Sequence, residues 1–235
     1  MFRYYFSKPT NNNFAKRIKD YEQGFIEALK MIKAFPYLLI IISWFSYIVY
    51  WLVSAIGVKK DKSEKGLRSW WWSRPVFVIR LFIALIIIAS VIYFRGKIWI
   101  FNRNGIIYQL QMVSTGFIPA YMGAIICFLG IVLAIWARRY LGKNWSPHPA
   151  LKEGHELVTS GPYSLLRHPI YTGILTSILG SVITTGNLFW LIIFIIVAFN
   201  FINRTRIEEG LMKQQFPDQY PEYKKRTWAL IPYIY

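Results

Sequence analysis

Long apolar runs, separated by shorter polar connections, dominate the chain. Five runs of about 18 residues with few charges indicate membrane helices, because lipid requires every backbone polar group to be bonded within the segment. These runs cover approximately residues 36–58, 75–94, 117–137, 169–185 and 187–203. Only a few residues separate the last two runs, so they must form a tight antiparallel hairpin. The pattern predicts an all-α, polytopic membrane protein with about five transmembrane helices.

The segment before the first run has a different periodicity. Apolar residues in 14–33 recur at steps of three and four, which places them on one face of a helix. Such a helix can lie flat in a membrane interface. It can equally pack against the loops of the protein itself. Pro36 opens the first span in this interpretation, so the helix of 14–33 is predicted to end before it.

The charge pattern argues for a membrane surface rather than for nucleic acid. The net charge is +17, but Lys and Arg lie in the connections between apolar runs and form no single basic domain. The loops 59–74 and 138–167 and the tail 204–235 are rich in these cations, which favours cytoplasmic catalytic loops and a cytoplasmic C-terminus. The basic N-terminal segment argues the other way. Membrane lipids are therefore expected partners.

Metal and disulfide chemistry have no support in the spacing of His and Cys. The three histidines, His148, His155 and His168, match no compact ligand pattern, and no cysteine cluster accompanies them. The single cysteine, Cys127, lies in an apolar run, where a small packing role is the simple interpretation. We therefore expect no metal site.

The first polar stretch with candidate chemistry is Arg167-His168-Pro169, at the start of the fourth span. Proline suits the first turn of a helix, where its missing N–H costs nothing. The other N–H groups of that turn could bind a carboxylate, and Arg167 beside them strengthens an anion site. The alternative is that Arg167 and His168 only cap the span at the interface.

The second polar stretch continues the fifth span. Arg204 and Glu208 are four residues apart, so they share one helix face. The tight hairpin brings this helix end beside Arg167 and His168. Charged groups placed together at the membrane edge indicate a functional site. The alternative is an exposed helix with an ordinary ion pair between neighbouring turns.

The ordered set of motifs resembles the isoprenylcysteine carboxyl methyltransferase family over residues 138–235. The motifs are Leu-Gly-x-x-Trp, Gly-His-x-Leu-Val-x-x-Gly-x-Tyr, Arg-His-Pro-x-Tyr, Glu-Glu-x-x-Leu and Phe-x-x-x-Tyr-x-x-Tyr, with a closing Pro. They correspond here to Leu141 to Trp145, Gly154 to Tyr163, Arg167 to Tyr171, Glu208 to Met212, Phe216 to Tyr223, and Pro232. The resemblance implies an integral membrane methyltransferase that moves a methyl group from S-adenosylmethionine to the carboxylate of a lipid-like acceptor, such as a prenylated cysteine.

The resemblance also implies site residues. The cofactor pocket would be lined and closed by ten residues: His155, Leu157, Val158, Gly161, Tyr163, His168, Pro169, Tyr171, Glu208 and Glu209. We predict three catalytic residues. Arg167 would orient the acceptor carboxylate, Glu208 would favour the cationic sulfonium, and Arg204 would hold Glu208. The hydrophobic acceptor would enter sideways from the bilayer.

Three domains follow from these predictions. Residues 1–35 form an N-terminal amphipathic interfacial segment, 36–137 a three-span membrane scaffold, and 138–235 the cofactor-binding and catalytic region with the final hairpin. Other functions stay open: a phospholipid or other lipid amine N-methyltransferase, with His155 or His168 as its base, a nicotinamide-dependent membrane reductase similar to sterol reductases, and an inactive scaffold.

Overall fold

The computed structural model describes residues 12–54, 115–145 and 156–234, and these residues are helical without a β-sheet. The α-helices there are α1 (Asn12–Ser54), α2 (Phe117–Leu141), α3 (Pro169–Thr185), α4 (Leu188–Gln215) and α5 (Gln219–Lys225), joined by short 3₁₀ helices at Gly142–Asn144 and Gly161–Ser164. Three of them, α1 from Lys16 onward, α2 and α4, are long and apolar enough to cross a membrane. The prediction of an all-α membrane protein is confirmed.

Parts of the predicted layout lie outside the described residues. These are the second span at 75–94, the basic loop 59–74 and His155. The chain divides into two compact units, residues 1–35 and residues 36–235. In the first unit the described side chains of 16–33 are exposed, including Tyr21 and Phe25. Their apolar face has the predicted periodicity, and its placement in a membrane interface stays a prediction.

The predicted break before Pro36 is wrong. One helix assignment runs from Asn12 to Ser54 and includes Pro36, whereas the sequence predicted separate helices at 14–33 and 36–58. A proline inside a helix removes one backbone hydrogen bond and usually kinks or ends it. Membrane helices tolerate such residues when neighbouring groups compensate. Here the Pro36 side chain is fully buried, and helical residues follow directly.

Helices α2 and α3 approach each other closely because small residues face each other along their contact. A Cβ built on Gly130 would lie 2.6 Å from the carbonyl oxygen of Gly173 and 2.7 Å from the nitrogen of Ser177. Thr184 at the end of α3 donates a hydrogen bond to the carbonyl of Ala120 on α2, over 3.1 Å. Small residues and hydroxyl hydrogen bonds of this kind drive helix packing where lipid removes the hydrophobic advantage of association.

The hairpin between α3 and α4 confirms the sequence prediction in detail. Helix α3 covers the predicted range, and only Gly186 and Asn187 separate it from α4. Gly186 ends α3 in the left-handed conformation, with φ 58°. The Asn187 side chain then accepts a hydrogen bond from the N–H of Phe189 and so caps α4. Helix α4 continues to Gln215, which carries the charged stretch 204–209 on the same helix as the predicted fifth span.

Helix α2 is longer than predicted because Arg138 is accommodated in its last turn. The sequence placed the end of this span at residue 137, before Arg138 and Arg139, whereas α2 ends at Leu141. The buried Arg138 guanidinium donates hydrogen bonds to the carbonyls of Gly142 and Ser54, at 2.8 and 2.6 Å. Carbonyls at helix C-termini attract cations. The arginine therefore stabilises the last turns of two helices, whereas the sequence predicted it in the polar connection after the span.

The C-terminal segment is held against the start of α3. Leu166 and Trp228 form an isolated parallel β-bridge. The backbone N–H groups of Arg167 and His168 donate to the carbonyls of Trp228 and Ala229, at 2.8 and 3.1 Å. This pairing fixes the backbone from which the two predicted site residues project.

Candidate active site

A cavity of about 870 Å³, including its open mouth, lies where α2 and α4 end and α3 begins, near α5. The cavity combines mostly aromatic and aliphatic walls with a few charged groups. Its lining consists of Leu141, Asn144, Trp145, Glu156, Leu157, Val158, Tyr163, Arg167, His168, Ile170, Tyr171, Glu208, Leu211, Met212, Tyr220 and Tyr223.

Glu208 on α4 has three partners at the cavity wall. Its Oε1 accepts hydrogen bonds from the Tyr171 hydroxyl at 2.6 Å and from Arg204 Nε at 2.8 Å. Its Oε2 lies 3.4 Å from Nδ1 of His168. The Arg204 pair confirms that these two residues share a helix face, and the His168 contact confirms that the hairpin joins the two polar stretches. A carboxylate with this many donors is held in one orientation.

Glu209 forms the second half of the ion cluster. Its Oε1 accepts a hydrogen bond from Arg167 Nε at 2.7 Å, and its Oε2 accepts one from Lys224 Nζ at 2.5 Å. Arg167 Nη1 also donates to the carbonyl of Thr227, so the guanidinium joins α4 to the C-terminal segment. Within the described residues, Arg167 Nη2 has no hydrogen-bond partner, and Arg167 lines the cavity.

His168 sits between the two carboxylates. Its Nε2 lies 3.8 Å from Glu209 Oε1 and is buried without a hydrogen bond in the described part of the chain. Burial works against a charged imidazole, but the interactions with Glu208 and Glu209 outweigh it and raise the pKa of His168 above its ordinary value. The two carboxylates therefore make this ring easier to protonate than an ordinary histidine.

Tyr171 is fixed by aromatic contacts as well as by its hydroxyl. The ring stacks on His168, with centroids 5.6 Å apart, and on Phe201 of α4, with centroids 4.3 Å apart. The Arg204 guanidinium lies 5.8 Å from the centroid of the same ring. Stacked rings and a nearby cation leave the Tyr171 hydroxyl directed at Glu208.

Two further tyrosines, Tyr163 and Tyr223, line the cavity and are joined by a hydrogen bond. The hydroxyl of Tyr223 donates to the carbonyl of Tyr163 over 2.7 Å. Burial raises the pKa of Tyr223 to about 12, so this hydroxyl keeps its proton and stays a donor. Burial also raises the pKa of Tyr163, with the nearby Tyr223 and Glu208 adding to it and Arg138 opposing it.

The structure brings most, but not all, of the predicted site residues to the cavity. Those that line it are Leu157, Val158, Tyr163, Arg167, His168, Tyr171 and Glu208. Arg204 and Glu209 are not lining residues, but they bind the lining residues Glu208 and Arg167. Gly161 packs against the ring of Tyr140 instead, and Pro169 is buried in the first turn of α3.

The hydrogen bonds at the start of α3 change the anion-site interpretation. The N–H groups of Arg167 and His168 are paired with the C-terminal segment, and those of Tyr171 and Thr172 donate to the carbonyl of His168. These four backbone donors therefore serve the fold, whereas the Arg167 side chain lines the cavity and can reach an anion there.

Sequence reasoning missed several lining residues. Trp145, Tyr220 and Tyr223 fall inside the quoted motifs, so the motif positions could have suggested them. Asn144 and Glu156 also line the cavity, but each occupies a variable position between motif residues. For these two residues, only the folded structure shows that they line the cavity.

Apolar membrane helices with a cavity closed by a cluster of Arg, His and Glu define a polytopic membrane protein with a polar site at the end of a helical hairpin. Residues 118–219 match the family described as phospholipid methyltransferase. Over this region the chain is similar to that family of methyltransferases, and the predicted resemblance to isoprenylcysteine carboxyl methyltransferases is confirmed by the curated relatives.

Several curated relatives share this region. Protein-S-isoprenylcysteine O-methyltransferase B of Arabidopsis thaliana is 37% identical over 84 residues, which cover 35% of this chain and 43% of that protein. The protein-S-isoprenylcysteine O-methyltransferase of Saccharomyces cerevisiae is 33% identical over 116 residues, 48% of each chain. Protein-S-isoprenylcysteine O-methyltransferase A of Arabidopsis thaliana is 29% identical over 153 residues, 64% of this chain and 74% of that protein. The chain spans about half the length of most curated relatives it matches.

Proposed function

We propose that this chain is a membrane-embedded methyltransferase that moves a methyl group from S-adenosylmethionine to the carboxylate of a lipid-like acceptor, such as a prenylated cysteine. The observation that carries the proposal is the cavity where Glu208, His168 and Arg167 meet, at the end of an apolar hairpin. The names of the curated relatives support the same reaction.

The cavity suits a cationic donor with an aromatic base. Its walls hold the rings of Trp145, Tyr163 and Tyr171, which can stack on a purine or face a cation. Glu208 adds a fixed carboxylate at the same wall. Leu157, Val158, Tyr163 and His168 are the residues expected to hold the donor, as is His155, which lies outside the described residues.

When bound, S-adenosylmethionine supplies a methyl group on a positively charged sulfur. The residues of this chain position the acceptor and stabilise charge. An ionised carboxylate is already a nucleophile, so no side chain has to remove a proton, and correct positioning is the main requirement. Arg167 Nη2 can donate to that carboxylate while Nε remains on Glu209. Tyr171 and Arg204 hold Glu208 in place.

The His168 environment favours a carboxylate acceptor over an amine acceptor. A lipid amine must lose a proton before or during methyl transfer, which requires a base. His168 lies between two carboxylates that raise its pKa, so the ring holds a proton of its own more tightly and is less available to accept that proton. The family description as phospholipid methyltransferase keeps the amine acceptor as the second candidate.

The membrane supplies the second substrate in this proposal. Helix α4 is apolar and largely exposed along its length, with Ile195, Ile196 and Phe199 more than half exposed. A hydrophobic acceptor could reach the hairpin from the lipid side, while the donor enters from water. We propose that the catalytic loops and the C-terminus face the cytoplasm, in keeping with their Lys and Arg content.

Thermal unfolding of the detergent-solubilised protein with and without S-adenosylhomocysteine tests the donor assignment. We expect S-adenosylhomocysteine to raise the midpoint and a nicotinamide dinucleotide to leave it unchanged, because a ligand stabilises only the folded state that binds it. Stabilisation by the nicotinamide dinucleotide alone would instead indicate a reductase. No response to either ligand would indicate an inactive scaffold.

A further inference from the structure

The backbone pairing at the start of α3 stops at a proline. The N–H groups of Arg167 and His168 donate to two successive carbonyls of the C-terminal segment, over 2.8 and 3.1 Å. The next residue, Pro169, has no N–H to continue this pairing. The next carbonyl of the segment belongs to Leu230, which is buried. Because a buried carbonyl must find a hydrogen-bond donor, this one needs a donor from outside the backbone pairing.

Thr172, in the first turn of α3, supplies that donor. Its hydroxyl donates to the carbonyl of Leu230 over 2.6 Å. A threonine in a helix commonly bonds instead to the carbonyl four residues earlier, as Thr185 does to Ser181 over 2.7 Å. For Thr172 that carbonyl belongs to His168 and lies 3.3 Å away. The single hydroxyl proton is therefore directed at the C-terminal segment, not at the helix.

The segment that Thr172 holds also carries a carbonyl that anchors Arg167. Arg167 Nη1 donates to the carbonyl of Thr227, while Nε donates to Glu209. Thr227 is bonded to the end of α5 through its own hydroxyl, so the bond from Thr172 fixes the other end of the same short segment. A guanidinium is planar, and bonds at two of its nitrogens therefore set the direction of the third. A shift of the segment would turn Arg167 Nη2 away from the acceptor.

We propose that Thr172 is a positioning residue for the methyl acceptor. Its hydroxyl replaces the N–H that Pro169 lacks, and it thereby keeps Arg167 directed at the acceptor carboxylate. Thr172 is not among the residues that line the cavity, so it acts through the C-terminal segment. The inference rests on the proposed function, which gives the acceptor carboxylate to Arg167. Loss of the hydroxyl should weaken acceptor binding and leave donor binding unchanged.

The test compares Thr172→Val, which keeps the shape of the side chain but removes the hydroxyl, with Thr172→Ser, which keeps the hydroxyl. Methyl transfer by the full chain in lipid gives the KM for a farnesyl-cysteine acid and the KM for S-adenosylmethionine. Mass spectrometry gives the hydrogen exchange of the peptide that contains the amides of Arg167 and His168. In the valine variant we expect the KM for the acid to rise about fivefold, the factor that one ordinary hydrogen bond is worth. Exchange should be faster there, because the pairing opens more often.

The KM for S-adenosylmethionine should stay at its wild-type value in Thr172→Val, and Thr172→Ser should restore both the acid KM and the slow exchange. Thr185→Val is the matched control, since the Thr185 hydroxyl bonds within α3, and it should change none of these quantities. If Thr172→Val does not fold, Thr172→Ala removes the same hydroxyl with a residue that favours a helix.

Three results would overturn the positioning role while leaving the methyltransferase proposal intact. The first is unchanged exchange in Thr172→Val, which would show that the bond to Leu230 does not hold the segment. The second is faster exchange with an unchanged KM for the acid. The third is a serine variant that behaves like the valine variant. If the wild type transfers no methyl to the acid, the proposed function fails and the positioning role fails with it.

Discussion

The contact between α2 and α3 and the ion cluster at the start of α3 use the same helix in opposite ways. Along the contact, Gly130, Gly173 and Ser177 bring two backbones together, and the described side chains there are small and uncharged. Directly before the helix begins, Arg167 and His168 contact two glutamates of α4. Close packing stabilises the first region, whereas ion pairs and hydrogen bonds stabilise the second.

This difference separates stability from chemistry. Gly130, Gly173 and Ser177 do not line the cavity, and the cost of disrupting their contact depends on volume. The ion cluster keeps charged groups partly buried, which stabilises little by itself but presents fixed charges to the cavity. Substitutions in the two regions should therefore have different effects on stability and on activity.

Arg167→Ala should lower both stability and activity, because this residue belongs to the fold and to the proposed site. The guanidinium is 9% exposed and joins Glu209 to the carbonyl of Thr227. Removing one partner of a buried pair costs about 3–5 kcal/mol. Thermal unfolding and methyl transfer should both fall. The exposed Arg226, which only approaches the ring of Tyr223, provides the control, and Arg226→Ala should keep both properties. An Arg167→Ala protein with wild-type turnover would exclude the acceptor role of Arg167.

Glu208→Gln should affect chemistry far more than folding. The amide keeps the size of the side chain and can still accept hydrogen bonds from Tyr171 and Arg204, but it loses the charge. Losing one preorganised electrostatic group costs about 100-fold or more in turnover. We expect turnover to fall by that factor while the unfolding midpoint stays within a few degrees. An unchanged turnover would remove Glu208 from the reaction.

Gly130→Ala should affect folding without a specific effect on chemistry. The new methyl group would press against the backbone of α3, and overpacking of this kind costs about 1–3 kcal/mol. The unfolding midpoint measures it. Gly210→Ala is the matched control on α4, where an added Cβ meets nothing within 4 Å. The control should be neutral or stabilising, because alanine favours a helix by about 1 kcal/mol over glycine. Equal effects of both variants would contradict the close contact.

The pH dependence of stability should show the charge of His168. Its folded pKa is raised above the ordinary 6.5. The stabilisation that protonated His168 gives the fold is therefore fully present below about pH 6.5. It is lost as the pH rises through the raised pKa of the folded state. We expect the unfolding midpoint to fall over that window by a few degrees, since about 1 kcal/mol shifts it by roughly 2–4 °C in a chain of this size. His168→Gln should abolish this step. A step that persists in the variant would belong to another group.

The sequence predicted the elements that rest on strong local signals. Pro169 at the first turn and Gly186 at the end defined α3, and the two-residue link then forced Glu208 beside His168. Proline is a helix-breaking signal, so the inclusion of Pro36 in α1 could not be predicted from local rules. The extra turn at Arg138 could not be predicted because it involves the carbonyl of Ser54, which is distant in sequence.

The same reason limits the site prediction. Arg167 was recognised from its motif, but its bond to Glu209 and its link to Thr227 depend on the C-terminal segment folding back onto the start of α3. Glu156 carries no local signal at all, and only the cavity shows that it faces the same space as Glu208.

The most direct test of the account is transfer of labelled methyl from S-adenosylmethionine to a small farnesyl-cysteine carboxylate by the protein in lipid. Labelled product should form, and base should release its label, as it does from a methyl ester. The Glu208→Gln protein should give little of it. Absence of transfer to this acid, together with base-stable labelling of a lipid amine, would contradict a carboxylate acceptor.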